Sequence, residues 1–374
     1  MSDYFGKEVF KLGFGLMRLP KNADGSIDIP QTCEMVDRFI AAGGTYFDTA
    51  YVYDNGGSEE AARRALVERY PRESYTLCTK LNARNQAHDE ASAKQQLYTS
   101  LERTGAGYFD FYLLHAIQPG NLNLYDQYRL WDFIQEQKAK GVLKRIGFSY
   151  HGDPELLDQL LTLHPEMDLV QLQLNYADWE DPGIAARANY EVARRHGVSV
   201  TVMEPVKGGA LANPIPKARE VFDAANPEAS YASWAIRYAA SLDGIITVLS
   251  GMSNLAQMDD NLSYMKNFQP LSEAERQVIR RAQEALNEDT TIPCTGCHYC
   301  TDGCPRNIPI PEIFTVRNRQ AIYPSWDEGK GQYAIATKNR GRASECFGCG
   351  QCEGACPQGL RIIELLKDCA AAME

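Results

Sequence analysis

The sequence predicts a (β/α)8 barrel, the TIM-barrel arrangement of α/β proteins, followed by a small, largely helical, cysteine-rich C-terminal domain. Three observations predict it. Short β-rich runs alternate with longer helix-patterned segments from residue 8 to about residue 287, giving eight strands. The first strand is not followed by the GxGxxG turn of an open doubly wound sheet, because the early glycine pair, Gly13 and Gly15, lies inside a strand. Nine of the 11 cysteines fall after residue 290, eight of them in two tight groups, which marks a separate module.

The strands are expected over residues 10–17 (FKLGFGLM), 44–50 (GTYFDTA), 75–80 (YTLCTK), 109–115 (FDFYLLH), 143–149 (LKRIGFS), 169–174 (LVQLQL), 198–203 (VSVTVM) and 244–250 (GIITVLS). Most are nearly continuous apolar runs, as parallel strands covered on both faces require. Helices fit between them. Met35, Val36, Phe39 and Ile40 recur with helical period and stop at Gly43-Gly44. Two further helices end in basic turns, Lys138 with Lys140 and Arg194-Arg195-His196, followed by Gly141 and Gly197. Ser272 and Glu275 form a capping box that opens another helix. The polar stretch Asn287-Glu288-Asp289 sets the boundary, giving a barrel over 1–287 and a second domain over 288–374. The second domain carries a helix near Ile313 to Gln320 and a less regular stretch from Pro324 to Gly331.

Bulk properties narrow the class. A chain of 374 residues accommodates one large and one small domain, and its formal charge of -11 disfavours a nucleic-acid surface. No apolar run reaches about 18 residues, so no membrane span is expected. The N-terminus lacks a basic start followed by an apolar core, so the expectation is a cytoplasmic protein. In that reducing compartment the cysteines are not a disulfide framework. Cys33 and Cys78 read as structural thiols and Cys369 as an incidental tail residue.

Cys294, Cys297, Cys300 and Cys304 precede Pro305; Cys346, Cys349, Cys352 and Cys356 precede Pro357. Both groups read C-x2-C-x2-C-x3-C-P. Three evenly spaced thiolates with a fourth beyond a turn suit a four-iron, four-sulfur cluster, whereas zinc takes four ligands from two C-x2-C pairs. The pattern resembles the two-cluster bacterial ferredoxins and implies two 4Fe-4S clusters. The resemblance also implies that each fourth cysteine crosses over: Cys294, Cys297, Cys300 and Cys356 on one cluster, Cys346, Cys349, Cys352 and Cys304 on the other. The long segment between the groups predicts a more helical variant of that fold.

Functional side chains of a barrel belong at the C-terminal ends of its strands. The second strand ends at Asp48, with Tyr53 shortly after; the third ends at Lys80 and the fourth at His115. Carbonyl reduction needs a hydride donor and a proton donor. Tyrosine, with an ordinary pKa of about 10, is a weak acid at neutral pH. A neighbouring ammonium is expected to lower that value, a carboxylate to hold the ammonium, and a histidine to orient the carbonyl oxygen. Taken singly, these residues also read as a helix cap, a surface ion pair and a core histidine. FDTAYVY, the strand-end lysine and LLH resemble the aldo-keto reductase superfamily over the barrel. The resemblance implies Tyr53 as general acid, Lys80 tuning it, Asp48 holding Lys80 and His115 orienting the substrate.

The same resemblance implies a nicotinamide cofactor, NADPH or NADH, at the barrel mouth. Ser149 and Gln171 match positions that hold the carboxamide, although Tyr150 and His151 follow Ser149 where the family often has asparagine. Met203 stands where many relatives place an aromatic against the ring. Pro205 and Gly208, in the run Pro205–Gly209, and Gly251 and Ser253, in the run Ser250–Asn254, belong to the loops expected to hold phosphate. Gln257, Asp260 and Asn261 match contacts to the adenosine end. Gly251 and Gln257 replace the cations that some NADPH-specific relatives carry, which leaves NADH open. Met17 and Arg18 are candidates for the substrate mouth, against barrel-floor packing and a surface charge. Tyr51, Tyr150, Tyr176 and Trp179 are candidates for the substrate pocket, against core packing.

The leading expectation is an NAD(P)-dependent oxidoreductase acting on a small carbonyl or alcohol, with a fused iron–sulfur domain for electron transfer or structure. Its partners are a small-molecule substrate and a redox protein (a flavoprotein or ferredoxin), with no nucleic acid and no membrane. The alternative is an iron–sulfur electron carrier whose barrel docks or senses, working with a flavin. Hydride transfer moves two electrons together and clusters pass one at a time, so a flavin is the usual bridge.

Overall fold

Residues 2–4, 7–84, 86–286, 291–322 and 329–374 are described in this computed structural model. Eight parallel strands close a barrel in chain order. They are β1 Leu12–Gly15, β2 Tyr46–Asp48, β3 Thr76–Leu81, β4 Phe109–Ile117, β5 Leu143–Tyr150, β6 Leu169–Gln173, β7 Ser199–Met203 and β8 Ile245–Ser250. β8 pairs with both β7 and β1, which leaves no edge. All eight expected strands are present. A short antiparallel hairpin, Ser2–Tyr4 with Lys7–Val9, precedes them and was not expected.

The apolar runs are buried on both faces, as parallel strands demand. Inside the barrel Val9, Tyr46, Cys78, Phe111, Leu113, Leu169, Ile246 and Leu249 form one cluster, with the Tyr46 and Phe111 rings 5.3 Å apart. Outside, Phe39 of the helix Ile29–Ala41 packs edge-on against Phe47 at 5.2 Å. Gly147 shows how closely β5 and β6 approach: a Cβ there would lie 2.1 Å from the Leu169 carbonyl oxygen. The glycine stops at Gly43, Gly141 and Gly197 all adopt positive φ, as left-handed helix ends require. The Ser272–Glu275 capping box is formed, with the Ser272 amide donating to Glu275 at 2.8 Å.

Two compact units result. The first comprises Met1–Pro205 with Ala232–Arg276, and the second Val206–Tyr231 with Gln277–Glu374. The second unit is therefore discontinuous, taking a segment from between β7 and β8. The boundary expected between 287 and 288 falls outside the described residues, as does most of the stretch expected to be irregular at 324–331. The last residues of that stretch open the helix Gly329–Ala336. Among the described residues the second unit has helices and no strand. Its core joins Ile308, Ile313 and Phe314 to Tyr333, Ile362, Leu366 and Cys369. Cys369 is a fully buried member of that core, not an incidental tail residue, because the terminal helix Ile362–Met373 lays an apolar face on it. Among the described residues no helix is long and apolar enough to cross a membrane.

Candidate active site and cluster-binding cavities

Three adjacent strand ends bring the expected tetrad together. Past Asp48 the chain stays tied to β3: the Thr49 amide donates to the Cys78 carbonyl and the Tyr51 amide to the Lys80 carbonyl. A turn closed by the Tyr53 amide on the Ala50 carbonyl then aims Tyr53 back at the mouth. Asp54 and Asn55 follow in left-handed conformations, tolerated by such short polar side chains. Lys80 is fully buried, with Asp48 beside it at 3% exposure. The Lys80 ammonium donates to Asp48 Oδ1 at 2.5 Å, to the Thr49 carbonyl at 2.7 Å and to Tyr53 Oη at 3.4 Å. Gln171 donates to the other Asp48 oxygen at 3.3 Å. The His115 ring stands edge-on to Tyr53, centroids 5.5 Å apart.

His115 is placed by a break in β4. Ala116 is left-handed and the β4–β5 register shifts after Leu114. The Ala116 amide donates to Ser149 Oγ at 2.7 Å, Asn121 donates to the Ala116 carbonyl at 2.9 Å, and the Tyr125 hydroxyl donates to the His115 carbonyl. A strained alanine persists only where its surroundings hold it, and such residues gather at functional sites.

The electrostatics differ from the sequence expectation in one respect. Burial pushes the Tyr53 phenol well above its ordinary value. Asp48, Cys78 and Glu204 add to the rise, and Arg18 opposes it. The physical reason is that the Lys80 ammonium is matched by Asp48 at hydrogen-bond distance, so little positive field is left to favour a phenolate. Burial also pulls His115 well below the ordinary imidazole value, helped by Lys80 and His151, so its ring is neutral at pH 7. The site thus holds a protonated phenol beside a neutral imidazole.

Of the expected cofactor residues, Ser149, Gln171 and Met203 lie toward the C-terminal ends of β5, β6 and β7. Ser149 Oγ accepts from Ala116 and keeps its own proton to donate; Gln171 is buried and Met203 half-buried at the end of β7. Pro205 is buried just beyond. The helix Leu255–Met265 is capped by Asn254, whose side chain accepts from the Gln257 amide at 2.9 Å. Gln257 Oε1 in turn accepts from the Ser253 amide at 2.7 Å. The Asn261 amide bridges Ser250 at 2.8 Å and Tyr264 at 2.6 Å. Gly251 runs beside the Arg18 stem, its Cβ position 3.4 Å from Arg18 Cδ. Gly208 belongs to the second unit, where a Cβ on it would lie 2.4 Å from the Thr295 carbonyl oxygen.

Of the other candidates, Met17 and Arg18 form a 3-10 turn beyond the end of β1 rather than lying on the strand. Arg18, its side chain 31% exposed, faces Glu204 at 3.8 Å. Tyr176 is fully buried against Tyr238, and Tyr150 is buried with its hydroxyl donating to the Asp153 carbonyl at 2.6 Å; both serve the core. Trp179 packs edge-on to Tyr238 at 5.7 Å. Tyr51 lies under the Arg103 guanidinium at 4.4 Å. The sequence reading missed Asn175, whose amide donates to the Glu204 carbonyl at 3.0 Å and holds that residue in its left-handed conformation beside Met203. NYAD, an Asx-type turn after β6, was the available signal.

In the second unit the eight motif cysteines wall two cavities. Cys304, Cys346, Cys349 and Cys352 line one, and Cys294, Cys297, Cys300 and Cys356 line the other. Each group of three is thus joined by the fourth cysteine of the other motif. The loops converge because the residues flanking each middle cysteine have positive φ: Gly296 and His298 around Cys297, Gly348 and Gly350 around Cys349. Amides already point at sulfur, from Gly296 to Cys294 and from Ile308 to Cys304, both at 3.4 Å. Two anchors outside the motifs fix the loop entries. Asn318 exchanges two hydrogen bonds of 2.7 Å with the Ile292 backbone, and Tyr333 Oη accepts from the Ala343 amide at 2.8 Å. Among the described residues no three His, Cys, Asp or Glu side chains converge on a single metal ion. Four cysteine sulfurs around each cavity are the donor set a 4Fe-4S cluster takes.

Comparison with known proteins agrees with both halves. Residues 11–284 match the Aldo/keto reductase family model and residues 293–361 the 4Fe-4S dicluster domain model. The aldo-keto reductase str7 of Strobilurus tenacellus is 29% identical over 214 residues, 54% of this chain and 60% of that protein. Under two thirds of that relative is therefore spanned. Aldo-keto reductase AKR11C1 of Bacillus halodurans, in its holo form, superposes with a TM-score of 0.59 at 24% identity, over 74% of this chain and 93% of that one. An aldo/keto reductase of Klebsiella pneumoniae, in complex with NADP and acetate, gives 0.60 at 20% identity, over 73% and 91%. At these identities the structural likeness concerns the fold.

Proposed function

This chain belongs to the aldo/keto reductase family and carries a C-terminal 4Fe-4S dicluster domain, and from that premise we propose that it reduces an aldehyde or ketone with NADPH or NADH, or runs the reverse alcohol oxidation. The observation that carries the reading is the buried Lys80 ammonium, which joins Asp48, the Thr49 carbonyl and the Tyr53 hydroxyl in one contact set beside His115. A packing role alone would not explain a fully buried lysine aimed at a half-buried phenol.

Ser149, Gln171 and Met203 would hold the nicotinamide end, and the loop Gly251–Ser253 with the following helix N-terminus the phosphate end. Bound there, the reduced nicotinamide supplies a hydride to the carbonyl carbon. The protein's own residues do the rest. His115, neutral at pH 7, donates a hydrogen bond to the carbonyl oxygen and fixes its lone pair toward Tyr53. As negative charge grows on that oxygen it becomes a stronger base than the phenolate, and the Tyr53 proton moves to it from Oη. Lys80 then sits 3.4 Å from the oxygen that has become charged. A high phenol pKa keeps the proton in place until the alkoxide forms, so it is compatible with this role.

We assign one 4Fe-4S cluster to each cavity, with the crossed ligand sets described above. Phe347 is 60% exposed and Cys349 is exposed on the wall of the first cavity. That access favours one-electron exchange with a partner protein, a flavoprotein or ferredoxin, over a purely structural role. The cysteine-rich cluster domain supports a placement in the reducing cytoplasm.

Tyr53→Phe tests the barrel chemistry. Turnover should fall by about 10²–10⁴, the usual contribution of a general acid, while cofactor affinity and iron content hold. Unchanged turnover refutes the mechanism. Bleaching of the cluster absorbance by NADPH in the purified protein alone would place the barrel and clusters on one electron path; carbonyl reduction without bleaching would assign the clusters to a separate partner.

A further inference from the structure

The tetrad accounts for the mouth but not for the buried polar chain behind it. Glu59, in the short helix Gly57–Ala62 after the Tyr53 loop, is fully buried. Its two carboxylate oxygens are divided. Oε1 accepts from the Thr79 hydroxyl at 2.7 Å, and Thr79 directly precedes Lys80 on β3. Oε2 faces Arg103 at 3.2 Å. Arg103, in the last turn of the helix Glu90–Thr104, also donates to the Tyr51 carbonyl at 3.0 Å and lies 4.4 Å over the Tyr51 ring. The guanidinium fills the space beside Gly56, where a Cβ would come within 2.5 Å of its central carbon. One planar cation therefore touches the Tyr53 loop on both sides of Tyr53, at Tyr51 and Gly56, and reaches β3 through Glu59. The loop is also tied by the Thr49–Ser58–Leu16 hydroxyl chain, at 2.7 and 2.9 Å, by the Tyr51 amide on the Lys80 carbonyl and by the Lys21–Asp54 pair at 2.6 Å.

We propose that Arg103 is a positioning residue for the reaction. It clamps the loop 51–57 and, through Glu59 and Thr79, keys that loop to the strand that carries Lys80, so that the Tyr53 hydroxyl and the Lys80 ammonium keep their separation. Neither Arg103 nor Glu59 touches substrate or cofactor in this scheme, which rests on the reading of Tyr53 as proton donor. The geometry requires a plane. Nη1 alone meets both acceptors, the Tyr51 carbonyl and Glu59, while the rest of the guanidinium covers the Tyr51 ring and fills the space beside Gly56; a lysine at the same place offers a point charge without that plane.

Arg103→Lys in the full-length, cluster-loaded protein is the test. The charge opposite Glu59 remains, so the melting temperature should stay within a few degrees of wild type and NADPH affinity within about twofold. Catalytic turnover should nevertheless fall at least about tenfold, since small displacements of reacting groups are amplified in rate, with KM for the carbonyl little changed. Arg103→Met is the second variant, expected to lose turnover further and stability as well. The positional claim is read independently from the ring carbon bearing oxygen in ¹³C-tyrosine-labelled protein, its Tyr53 signal assigned with Tyr53→Phe. That signal should move in Arg103→Lys. A signal that stays put, or folded Arg103→Lys enzyme turning over within twofold of wild type, overturns the inference. A moved signal in a protein whose wild type reduces no carbonyl overturns the proposed reaction and leaves the clamp standing.

Discussion

Replacing Lys80 with methionine isolates the energetics of the buried pair. The ammonium makes two short charge-assisted hydrogen bonds, 2.5 Å to Asp48 and 2.7 Å to the Thr49 carbonyl. At about 1.5–3 kcal/mol each, their loss amounts to about 3–6 kcal/mol. Breaking a buried pair by deleting one partner costs about 3–5 kcal/mol, because the other charge is stranded. The Gln171 amide, at 3.3 Å, is what the Asp48 carboxylate keeps. Lys80→Met should therefore lose about 4 kcal/mol of unfolding free energy at pH 7. Adding Asp48→Asn removes the stranded charge and should recover about half of it. Lys138 provides the control. Its ammonium is 2.6 Å from Asp168, but its side chain is 31% exposed, and Asp168 retains Arg145 and the Ile146 amide. Lys138→Met should cost less than about 1 kcal/mol. Urea unfolding under anaerobic conditions, at matched iron content and followed by tryptophan fluorescence, measures all of these. Equal losses for Lys80→Met and Lys138→Met would refute the claim that burial, rather than distance, sets the worth of the pair.

Two further outcomes follow from the same structure. Cys356→Ser should lower iron from about eight to about four atoms per chain and spare the cluster of Cys304, Cys346, Cys349 and Cys352; cluster spectra of the variants Cys297→Ser and Cys356→Ser should coincide, and uncrossed ligation predicts instead that Cys356→Ser coincides with Cys349→Ser. Burial pulls the His151 imidazole from 6.5 down to about 4, so the folded state binds fewer protons than the unfolded chain between those values. Its contribution is complete above pH 6.5 and disappears as the pH falls, removing about 2 kcal/mol by pH 5; His151→Gln should flatten this part of the stability profile, and an unaltered slope between pH 7 and pH 5 would count against it.

The barrel was legible in the sequence because strands such as LVQLQL and GIITVLS, covered on both faces, carry their burial as unbroken apolar runs. The tetrad was legible because Asp48, Lys80 and His115 end their strands, and strand ends are where barrel chemistry collects. What side-chain packing decides was not legible. The direction of the Tyr53 shift is set first by burial and then by the Asp48 charge beside it, neither of which a strand-end motif reveals. Arg103 and Glu59 are 44 positions apart and share no motif. Cys369 looked incidental because a lone cysteine near a terminus has no pattern, while the helix around it had an apolar face. The crossing of the fourth cysteines came from resemblance, and the two cavities lend it geometry that spacing alone does not contain.

The second unit begins with Val206–Tyr231 and resumes at Gln277. On a ribosome adding about 5–20 residues per second, that first segment emerges well before the rest of its unit. Each cavity is walled by three cysteines from one motif and one from the other, so neither has its full set of sulfurs until Cys352 and Cys356 have left the exit tunnel. With one cluster in each cavity, a polypeptide stopped short of residue 352 would lack a complete set of four sulfurs for either.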